Sequence, residues 1–170
     1  PDGQYQTAEA QTACVACAAG TKGDGSDQSL AVYCTVCDAG QFSAAGVTSC
    51  TECAAGQHQP ADAQDKSACK QCEAPKDYQY KTGQPSCKTC LAKSYRGSAT
   101  SCLECPPGFK CADGSAKAAC AAGSFADASG AESCTKCLAG QFQTETGKAA
   151  CVACAAGTKG DGSDQSLAVY

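Results

Sequence analysis

The distribution of apolar and polar positions predicts short β-hairpins and almost no helix. No stretch keeps large apolar side chains at i, i+3 and i+4 over three turns, which an amphipathic helix requires. Short runs lie between bends instead, for example Gln41-Phe42-Ser43 and Val47-Thr48-Ser49 on either side of Gly46. Such runs predict that these two segments pair with each other as a small, irregular hairpin.

The cysteines divide this pattern into repeated modules. A glycine stands three residues after the second cysteine of most C-x-x-C pairs, often followed by an aromatic residue, and another often precedes the next pair by four residues. These glycines predict two sharp bends in each loop, because they adopt backbone conformations that a Cβ resists. Only Cys111 and Cys120, a C-x8-C pair, depart from the spacing. The eight pairs are Cys14/Cys17, Cys34/Cys37, Cys50/Cys53, Cys69/Cys72, Cys87/Cys90, Cys102/Cys105, Cys134/Cys137 and Cys151/Cys154, and the loops that they bound are 17–34, 37–50, 53–69, 72–87, 90–102, 105–111 and 120–134.

A much longer repeat encloses these modules. Residues 150–170 repeat residues 13–33 without a difference over 21 positions, at an offset of 137 residues. We therefore predict one complete 137-residue unit at 1–137 and the start of the next at 138–170. An accidental or engineered duplication of a terminal segment is the alternative. Pro1 is an improbable natural start, and Tyr170 aligns with Tyr33, which precedes Cys34, so the natural chain is expected to continue into further copies.

Composition indicates that cysteine chemistry, rather than an apolar core, holds the fold together. The 170 residues include 18 cysteines, but only 15 residues of Val, Leu and Phe together and no Ile, Met or Trp. So few large apolar side chains cannot fill the core of a chain of this length. Disulfides are the favoured chemistry, and they imply an extracellular or cell-surface protein. Most bridges would close a loop of roughly 10 to 20 residues and stabilise the fold by about 3 kcal/mol.

Two other cysteine chemistries compete with disulfides. Cys14/Cys17 with Cys34/Cys37 has the C-x2-C-x16-C-x2-C spacing of a four-thiolate zinc site, so a zinc-binding protein is the remote alternative. Redox catalysis is disfavoured, because eight near-equivalent pairs and no βαβ pattern leave no single C-x-x-C special. The only histidine, His58, gives no mixed-ligand set, and we interpret it as a ring that substitutes for the Phe of other modules.

Charge and the remaining motifs exclude several function classes. The net charge of −4 comes from 13 basic and 17 acidic residues that are scattered, so neither nucleic acid nor a membrane surface is a predicted partner. No apolar run approaches the ~20 residues of a membrane span. Because one histidine cannot assemble a convincing Ser-His-Asp site, we predict no enzyme, no catalytic residue, no metal ligand and no cofactor. Asp24 and Asp27 lack the ligand series of a calcium loop and are interpreted as a solvated turn.

The cysteine and glycine pattern resembles known families. The motif C-x2-C-x2-G-x-[FY], ending in C-x2-C, is similar to the cysteine-rich modules of tumour-necrosis-factor receptors and to ephrin-receptor-like repeats. The segment from Cys105 to Phe125, CPPGFKCADGSAKAACAAGSF, is especially similar to the latter. Long Ala- and Thr-rich arrays with near-identical large repeats resemble protist surface antigens, notably the immobilisation antigens of ciliates.

With this resemblance we expect a small disulfide-rich fold: an elongated ladder of short, irregular β-hairpin modules, each with one aromatic ring over a bridge. Two modules lack the glycine, at Cys72-Glu73-Ala74-Pro75 and at Cys90-Leu91-Ala92-Lys93, and their loops are expected to bend differently.

The modules imply that the second cysteine of each pair joins the first cysteine of the next pair. Under this scheme Cys14 and Cys154 find their partners outside the 170 residues. Interleaved pairing, such as Cys102–Cys111 with Cys105–Cys120, is the alternative. The sequential bridges are Cys17–Cys34, Cys37–Cys50, Cys53–Cys69, Cys72–Cys87, Cys90–Cys102, Cys105–Cys111, Cys120–Cys134 and Cys137–Cys151.

Two functions from different classes fit these expectations. The first is an extracellular structural tandem-repeat protein that forms a surface coat or filament, which the near-perfect internal copy favours. The second is a receptor or adhesin ectodomain with a ligand-binding module face. The expected partners are further copies of the repeat, by continuation of the chain or by self-association, and the many Ser and Thr residues would accept O-linked glycans.

Overall fold

The structure is a series of short β-hairpins. It is a computed structural model that describes residues 3–6, 13–23, 33–62 and 65–158, and the turn predicted at Asp24 and Asp27 lies outside them. No α-helix occurs in these four ranges. The strands are β1 (Gln4–Tyr5), β2 (Val15–Ala16), β3 (Thr21–Gly23), β4 (Cys34–Val36), β5 (Gln41–Phe42), β6 (Thr51–Glu52), β7 (Gln57–His58), β8 (Lys70–Gln71), β9 (Asp77–Tyr78), β10 (Lys88–Thr89), β11 (Ser94–Ser98), β12 (Ser101–Glu104), β13 (Phe109–Lys110), β14 (Ala118–Ala119), β15 (Ser124–Phe125), β16 (Thr135–Lys136), β17 (Gln141–Phe142) and β18 (Val152–Ala153).

The strands pair in chain order, β1 with β2 through β17 with β18, as two-stranded sheets. The predicted fold class is thereby confirmed: the protein is disulfide-rich, its antiparallel hairpins follow one another in tandem, and helix is nearly absent from the described ranges. The second strand of most hairpins consists of the two residues between the cysteines of a C-x-x-C pair. We define a module as the segment from the second cysteine of one pair to the second cysteine of the next. Positions are counted from the cysteine that begins the module, so that position +3 lies three residues after it.

The hairpin predicted between Gln41-Phe42-Ser43 and Val47-Thr48-Ser49 is wrong. Gln41 pairs with Glu52 and Phe42 pairs with Thr51, beyond the next cysteine. The 46–49 backbone is engaged with the preceding module instead. The N–H of Gly46 donates to the carbonyl of Cys17 (2.8 Å), and the carbonyl of Val47 accepts from the N–H of Gly23 (3.0 Å).

The chain forms two compact units. The first comprises Pro1–Glu73 with Tyr78–Lys88, and the second comprises Ala74–Asp77 with Thr89–Tyr170. Each unit is built from the same hairpin modules. The described residues contain no helix that could cross a membrane.

Cysteine sulfur takes the place of an apolar core. The second cysteine of every pair except Cys151/Cys154 is almost fully buried, whereas large aliphatic side chains such as Leu91 (72% exposed) and Leu138 (69% exposed) face solvent. Cysteine sulfur therefore makes up most of the buried apolar material of the modules, which explains how so few aliphatic residues suffice. The buried cysteines are Cys17, Cys37, Cys53, Cys72, Cys90, Cys105, Cys111, Cys120 and Cys137.

The bend at position +3 has one backbone conformation in most modules. Gly40 has φ 77°, and a Cβ at this residue would overlap the carbonyl oxygen of Gly83 in the first unit. The loop after Cys90, which was expected to bend differently, does not: Lys93 adopts φ 75° in place of the glycine. The loop after Cys72 does differ, because its Ala74–Pro75 peptide is cis and Lys76, one residue later, accepts the hydrogen bond that a +3 carbonyl accepts elsewhere.

Cys111 and Cys120, the two cysteines with irregular spacing, belong to one module that forms the same hairpin as the others. Phe109–Lys110 pairs with Ala118–Ala119, and the N–H of Cys120 donates to Gly108, as second cysteines do in the other modules. Cys120 is therefore the second cysteine of a pair whose first position is Lys117. Since that partner is missing, Cys105 bonds to Cys111 at position +6 instead.

Candidate functional site

The functional candidate is the disulfide ladder, the series of bridges that closes the modules. The structure joins sixteen of the eighteen cysteines, with Cα–Cα distances of 5.5 to 5.8 Å, in the ordinary range for disulfides. The pairing scheme remains a prediction for chemical mapping. The bridges in the structure are Cys17–Cys34, Cys37–Cys50, Cys53–Cys69, Cys72–Cys87, Cys90–Cys102, Cys105–Cys111, Cys120–Cys134 and Cys137–Cys151.

Two cysteines take no part in these bridges. Cys14 and Cys154 are half-buried and carry free thiols in the structure. Their pairing with cysteines outside the 170 residues stays a prediction. Of the four residues with zinc-site spacing, Cys17 is bonded to Cys34 and Cys37 to Cys50, so three of the four sulfurs are not thiolate donors in this state.

Consecutive modules within each unit are joined by a repeated backbone hydrogen bond. The N–H at position +3 donates to the carbonyl at or near position +6 of the next module. In the first unit Gly40 donates to Gln59 (2.8 Å), and in the second Gly123 donates to Gln143 (2.6 Å). These bonds connect groups about 20 residues apart. The further examples are Gly20 to Ser43, Gly56 to Gln79, Lys93 to Cys111 and Gly108 to Ala126.

At four joints a second bond caps the carbonyl of a buried cysteine. The glycine four residues before a pair donates its N–H to the carbonyl of the cysteine that begins the preceding module, as Gly83 does to Cys53 (2.9 Å). The other examples are Gly46 to Cys17, Gly130 to Cys105 and Gly147 to Cys120. The module from Cys53 to Cys72 has no such glycine. There the ammonium of Lys66, only 6% exposed, donates to the carbonyl of Cys37 at 2.6 Å. A side chain thus replaces a backbone N–H at the same acceptor.

Buried glutamines at position +6 or +7 fix the loop of their own module. Gln79 donates through Nε2 to the carbonyl of Ser86 (2.9 Å), and Gln143 donates likewise to Ala150 (2.8 Å). Each accepting residue directly precedes the first cysteine of a pair. Gln59 makes the same bond to Ala68 (2.9 Å), but its buried Oε1 has no partner among the described residues. The glutamines therefore hold each cysteine at the position where it forms its bridge.

One bridge has a polar neighbour of a different kind. Nδ1 of His58 lies 3.1 Å from Sγ of Cys87, the partner of Cys72. The ring nitrogen and both sulfurs lie within 4.8 Å of one another, which is the one group in the described ranges that could offer three ligand atoms to a metal. The sequence did not indicate this mixed set, because the three residues are separated by 14 and 15 positions. While the two sulfurs are bonded to each other, they cannot act as thiolate ligands.

In the second unit, a contact between the same two module positions is made by different side chains. Tyr95 occupies position +5, as His58 does, and its ring lies 5.3 Å from Nζ of Lys117. Lys117 stands where the next module would have its first cysteine. The ring at +5 therefore faces the first-cysteine position of the following module. Lys117 also lies 4.8 Å from the ring of Phe109, so a cation between two rings replaces the missing sulfur.

The remaining electrostatic features are local and exposed. The hydroxyl of Ser115 donates to Asp113 (2.6 Å), as does its backbone N–H (3.0 Å), and Lys76 lies 3.4 Å away. These contacts, led by the hydroxyl, lower the pKa of Asp113 from 3.8 to about 2. Elsewhere the ammonium of Lys88 donates to the Tyr80 hydroxyl (3.1 Å), which lowers the pKa of the phenol and raises that of the ammonium.

Sequence reasoning missed the residues that make the joints. The sequence feature connected with Lys66 is that its module lacks the second glycine. The buried glutamines also left a trace, since Gln59 and Gln143 share position +6 after their cysteines. Neither trace predicts burial, because Lys and Gln are ordinarily exposed residues.

Comparison with known proteins gives one family. Residues 123–165 match the family described as tyrosine-protein kinase ephrin type A/B receptor-like, over about a quarter of the 170 residues. The match starts near the end of the segment singled out by resemblance, Cys105 to Phe125, and its part from residue 150 onward has an identical copy from residue 13. The matched family is a receptor-like module rather than an enzyme family. No match to a curated protein was found. The chain is thus similar to ephrin-receptor-like modules over residues 123–165, and its eight disulfides and tandem hairpins fit cysteine-rich modules of the ephrin-receptor and tumour-necrosis-factor-receptor kind.

Proposed function

We propose that this protein is an extracellular structural tandem-repeat protein whose modules build a surface coat or filament, and that it has no catalytic role. The bridges and the match to receptor-like modules support an extracellular or surface location, because disulfides persist in oxidising compartments. In this proposal the 137-residue unit is the period of the array, and each unit has further copies of the same unit as its partners.

The observation that carries the proposal is the chemistry of the joints. Gly40 to Gln59 and Gly123 to Gln143 use only backbone groups at repeated positions. A joint of this kind depends little on side-chain identity, so the same bond can be formed by any number of consecutive modules. Stability in such arrays is close to a sum of module terms and nearest-neighbour terms, which suits building material of variable length.

Imaging of lengthened chains tests this function. Proteins with one, two and three copies of the 137-residue unit would be purified oxidised and viewed by negative-stain electron microscopy, with the native material alongside. We expect the contour length to increase by a constant amount per unit and the native material to form fibres or a layer. A matched control carries Cys37→Ser and Cys50→Ser, which removes one bridge, and should show a local loss of order. Discrete particles whose length does not grow with copy number would contradict the proposal.

The second candidate is a receptor or adhesin ectodomain. The specific observation in its favour is the match at residues 123–165 to modules named after a receptor. A ligand-binding face would require one module to differ from the rest. The test is an exchange of residues 120–154 for the module pair 37–72. If the protein binds a partner tightly and saturably, and this exchange abolishes the binding, the receptor candidate is favoured over the structural one.

A further inference from the structure

We infer that Cys72–Cys87 is a thiol–disulfide exchange site, at which a small external thiolate opens the bridge with assistance from His58. The observation is the 3.1 Å approach of His58 Nδ1 to Cys87 Sγ, together with the distance of at most 4.8 Å from the ring nitrogen to Cys72 Sγ. A nitrogen donor at this distance can hydrogen-bond to sulfur and stabilise the negative charge that sulfur acquires when a disulfide is cleaved.

The repeat shows why this bridge differs from its neighbours. Position +5, which faces the first-cysteine position of the next module at His58 and Tyr95, is otherwise a ring or a charged side chain. It is a hydrocarbon ring or a phenol in four other modules (Phe42, Tyr95, Phe125 and Phe142) and charged in three (Lys22, Asp77 and Lys110). His58 is the only histidine of the chain, so an imidazole stands at this position once. A phenyl ring excludes water from a bridge but donates no hydrogen bond to it.

Exposure determines which sulfur is attacked. Cys72 is 4% exposed, whereas Cys87 is half-buried, so an incoming thiolate reaches Cys87 Sγ first. A bond forms between the external sulfur and Cys87 Sγ. The Cys72–Cys87 bond breaks, and its electron pair leaves with Cys72 Sγ as a thiolate. In the tautomer with the proton on Nδ1, the His58 ring turns from Cys87 Sγ (3.1 Å) towards Cys72 Sγ, which lies within 4.8 Å, and its N–H stabilises this charge.

The exchange is completed by a second thiolate. It attacks the external sulfur of the mixed disulfide and releases Cys87 as a thiolate. Two external thiolates are oxidised to one disulfide, and the bridge is reduced to two thiolates that take protons from solvent. The substrate class is therefore a small monothiol present in excess, and the product is a module opened at one position while its neighbours stay closed.

The test measures the opening rate of each bridge separately. The oxidised protein is exposed to a small monothiol in native buffer, quenched with an alkylating mass tag and mapped by peptide mass spectrometry. We expect Cys72–Cys87 to open roughly tenfold faster than Cys37–Cys50, since leaving-group stabilisation raises exchange rates. Opening no faster than the other bridges would overturn the inference.

Two substitutions separate the imidazole from simple access. His58→Phe restores the residue of the other modules and should remove the advantage. His58→Ala is smaller, has no side-chain donor and admits the thiol more freely, yet it also should slow the opening if the imidazole is responsible. If His58→Ala instead opens the bridge as fast as the wild type or faster, access explains the rate and the inference fails.

A transplant provides the positive control. Because the ring at +5 faces the next module's first cysteine, Phe42→His should sensitise Cys53–Cys69 and leave Cys37–Cys50 unchanged. Thermal unfolding of each variant checks that the remaining modules are intact. Sensitisation of Cys53–Cys69 supports the inference, and an unchanged rate at that bridge in a folded variant contradicts it.

Discussion

The ammonium of Lys66 donates a 2.6 Å hydrogen bond to the carbonyl oxygen of Cys37, and the lysine is only 6% exposed. At four other joints this acceptor position is served by a glycine N–H, as between Gly83 and Cys53. The joint is therefore defined by the acceptor and not by the donor. A long side chain that reaches from the next module restores the bond where the glycine is missing.

Replacement of Lys66 tests this joint. Lys66→Met keeps the apolar stem but leaves the buried carbonyl of Cys37 without a donor, so we expect a loss of about 1–3 kcal/mol in the free energy of unfolding. Lys70→Met, on the exposed strand β8, is the control and should change stability by less than about 0.5 kcal/mol. Denaturant titration of the oxidised proteins measures both. Equal stabilities would show that the Lys66 bond contributes nothing.

The glycine bends offer a matched pair. Gly40 and Gly140 have nearly the same backbone, with φ 77° and 79°, but only Gly40 approaches another carbonyl, that of Gly83. Gly40→Ala should cost about 2–4 kcal/mol, because the Cβ overlaps backbone and the conformation is left-handed. In Gly140→Ala the Cβ meets no described atom within 4 Å, so this variant should cost about 1 kcal/mol for the conformation alone. If the two variants unfold at the same denaturant concentration, close packing at Gly40 is not what the residue provides.

The buried glutamines should be sensitive to loss of their amide. Gln143→Leu removes the donor to Ala150 and the acceptor of the Glu145 N–H, two backbone groups that lie in the same loop. We expect a loss of about 2 kcal/mol, since unsatisfied backbone groups cost more than the bond itself contributes. Gln141→Leu, on the adjacent strand β17, is the control and should be near neutral. A thermal melt in which Gln143→Leu equals the wild type would argue against this role.

The lowered pKa of Asp113 predicts that the loop around this residue loses stability in acid. Its pKa is about 2 in the folded protein against 3.8 in the unfolded reference, so the unfolded chain binds the proton more tightly. The contribution of the carboxylate is therefore complete above pH 3.8 and is lost as the pH falls towards 2. Asp113→Asn should lower stability at neutral pH and flatten the dependence in this window. Melting temperatures between pH 2 and 6 provide the measurement, and identical profiles for Asp113→Asn and the wild type would contradict it.

Disulfide connectivity is directly testable. Digestion of the non-reduced 170-residue chain should give linked peptides for Cys17–Cys34, Cys37–Cys50 and the six further bridges, with alkylated thiols at Cys14 and Cys154. A peptide that links Cys14 to Cys34 would replace sequential pairing by the interleaved scheme. Treatment with a chelator should leave the fold intact, because bridged sulfurs hold no metal.

The sequence alone determined the features that depend on local chemistry. Glycine at +3 indicated a left-handed bend, which Gly40 adopts, and eighteen cysteines with few aliphatic residues indicated a sulfur core. The lack of α-helix in the described ranges followed from the absence of an apolar stripe in the sequence. These properties arise from a residue and its immediate neighbours or from composition, so no knowledge of the tertiary fold was needed.

Only the tertiary structure decided how modules meet. Phe42 pairs with Thr51 rather than with the 47–49 segment, because Gly46 and Val47 bond to the preceding module. The approach of His58 to Cys87 likewise depends on one hairpin being stacked against the next. Every residue carries the same backbone donor and acceptor, so the sequence gives no signal for which of them pair across 20 or 30 positions; the packed chain selects them because a buried backbone group must find a partner.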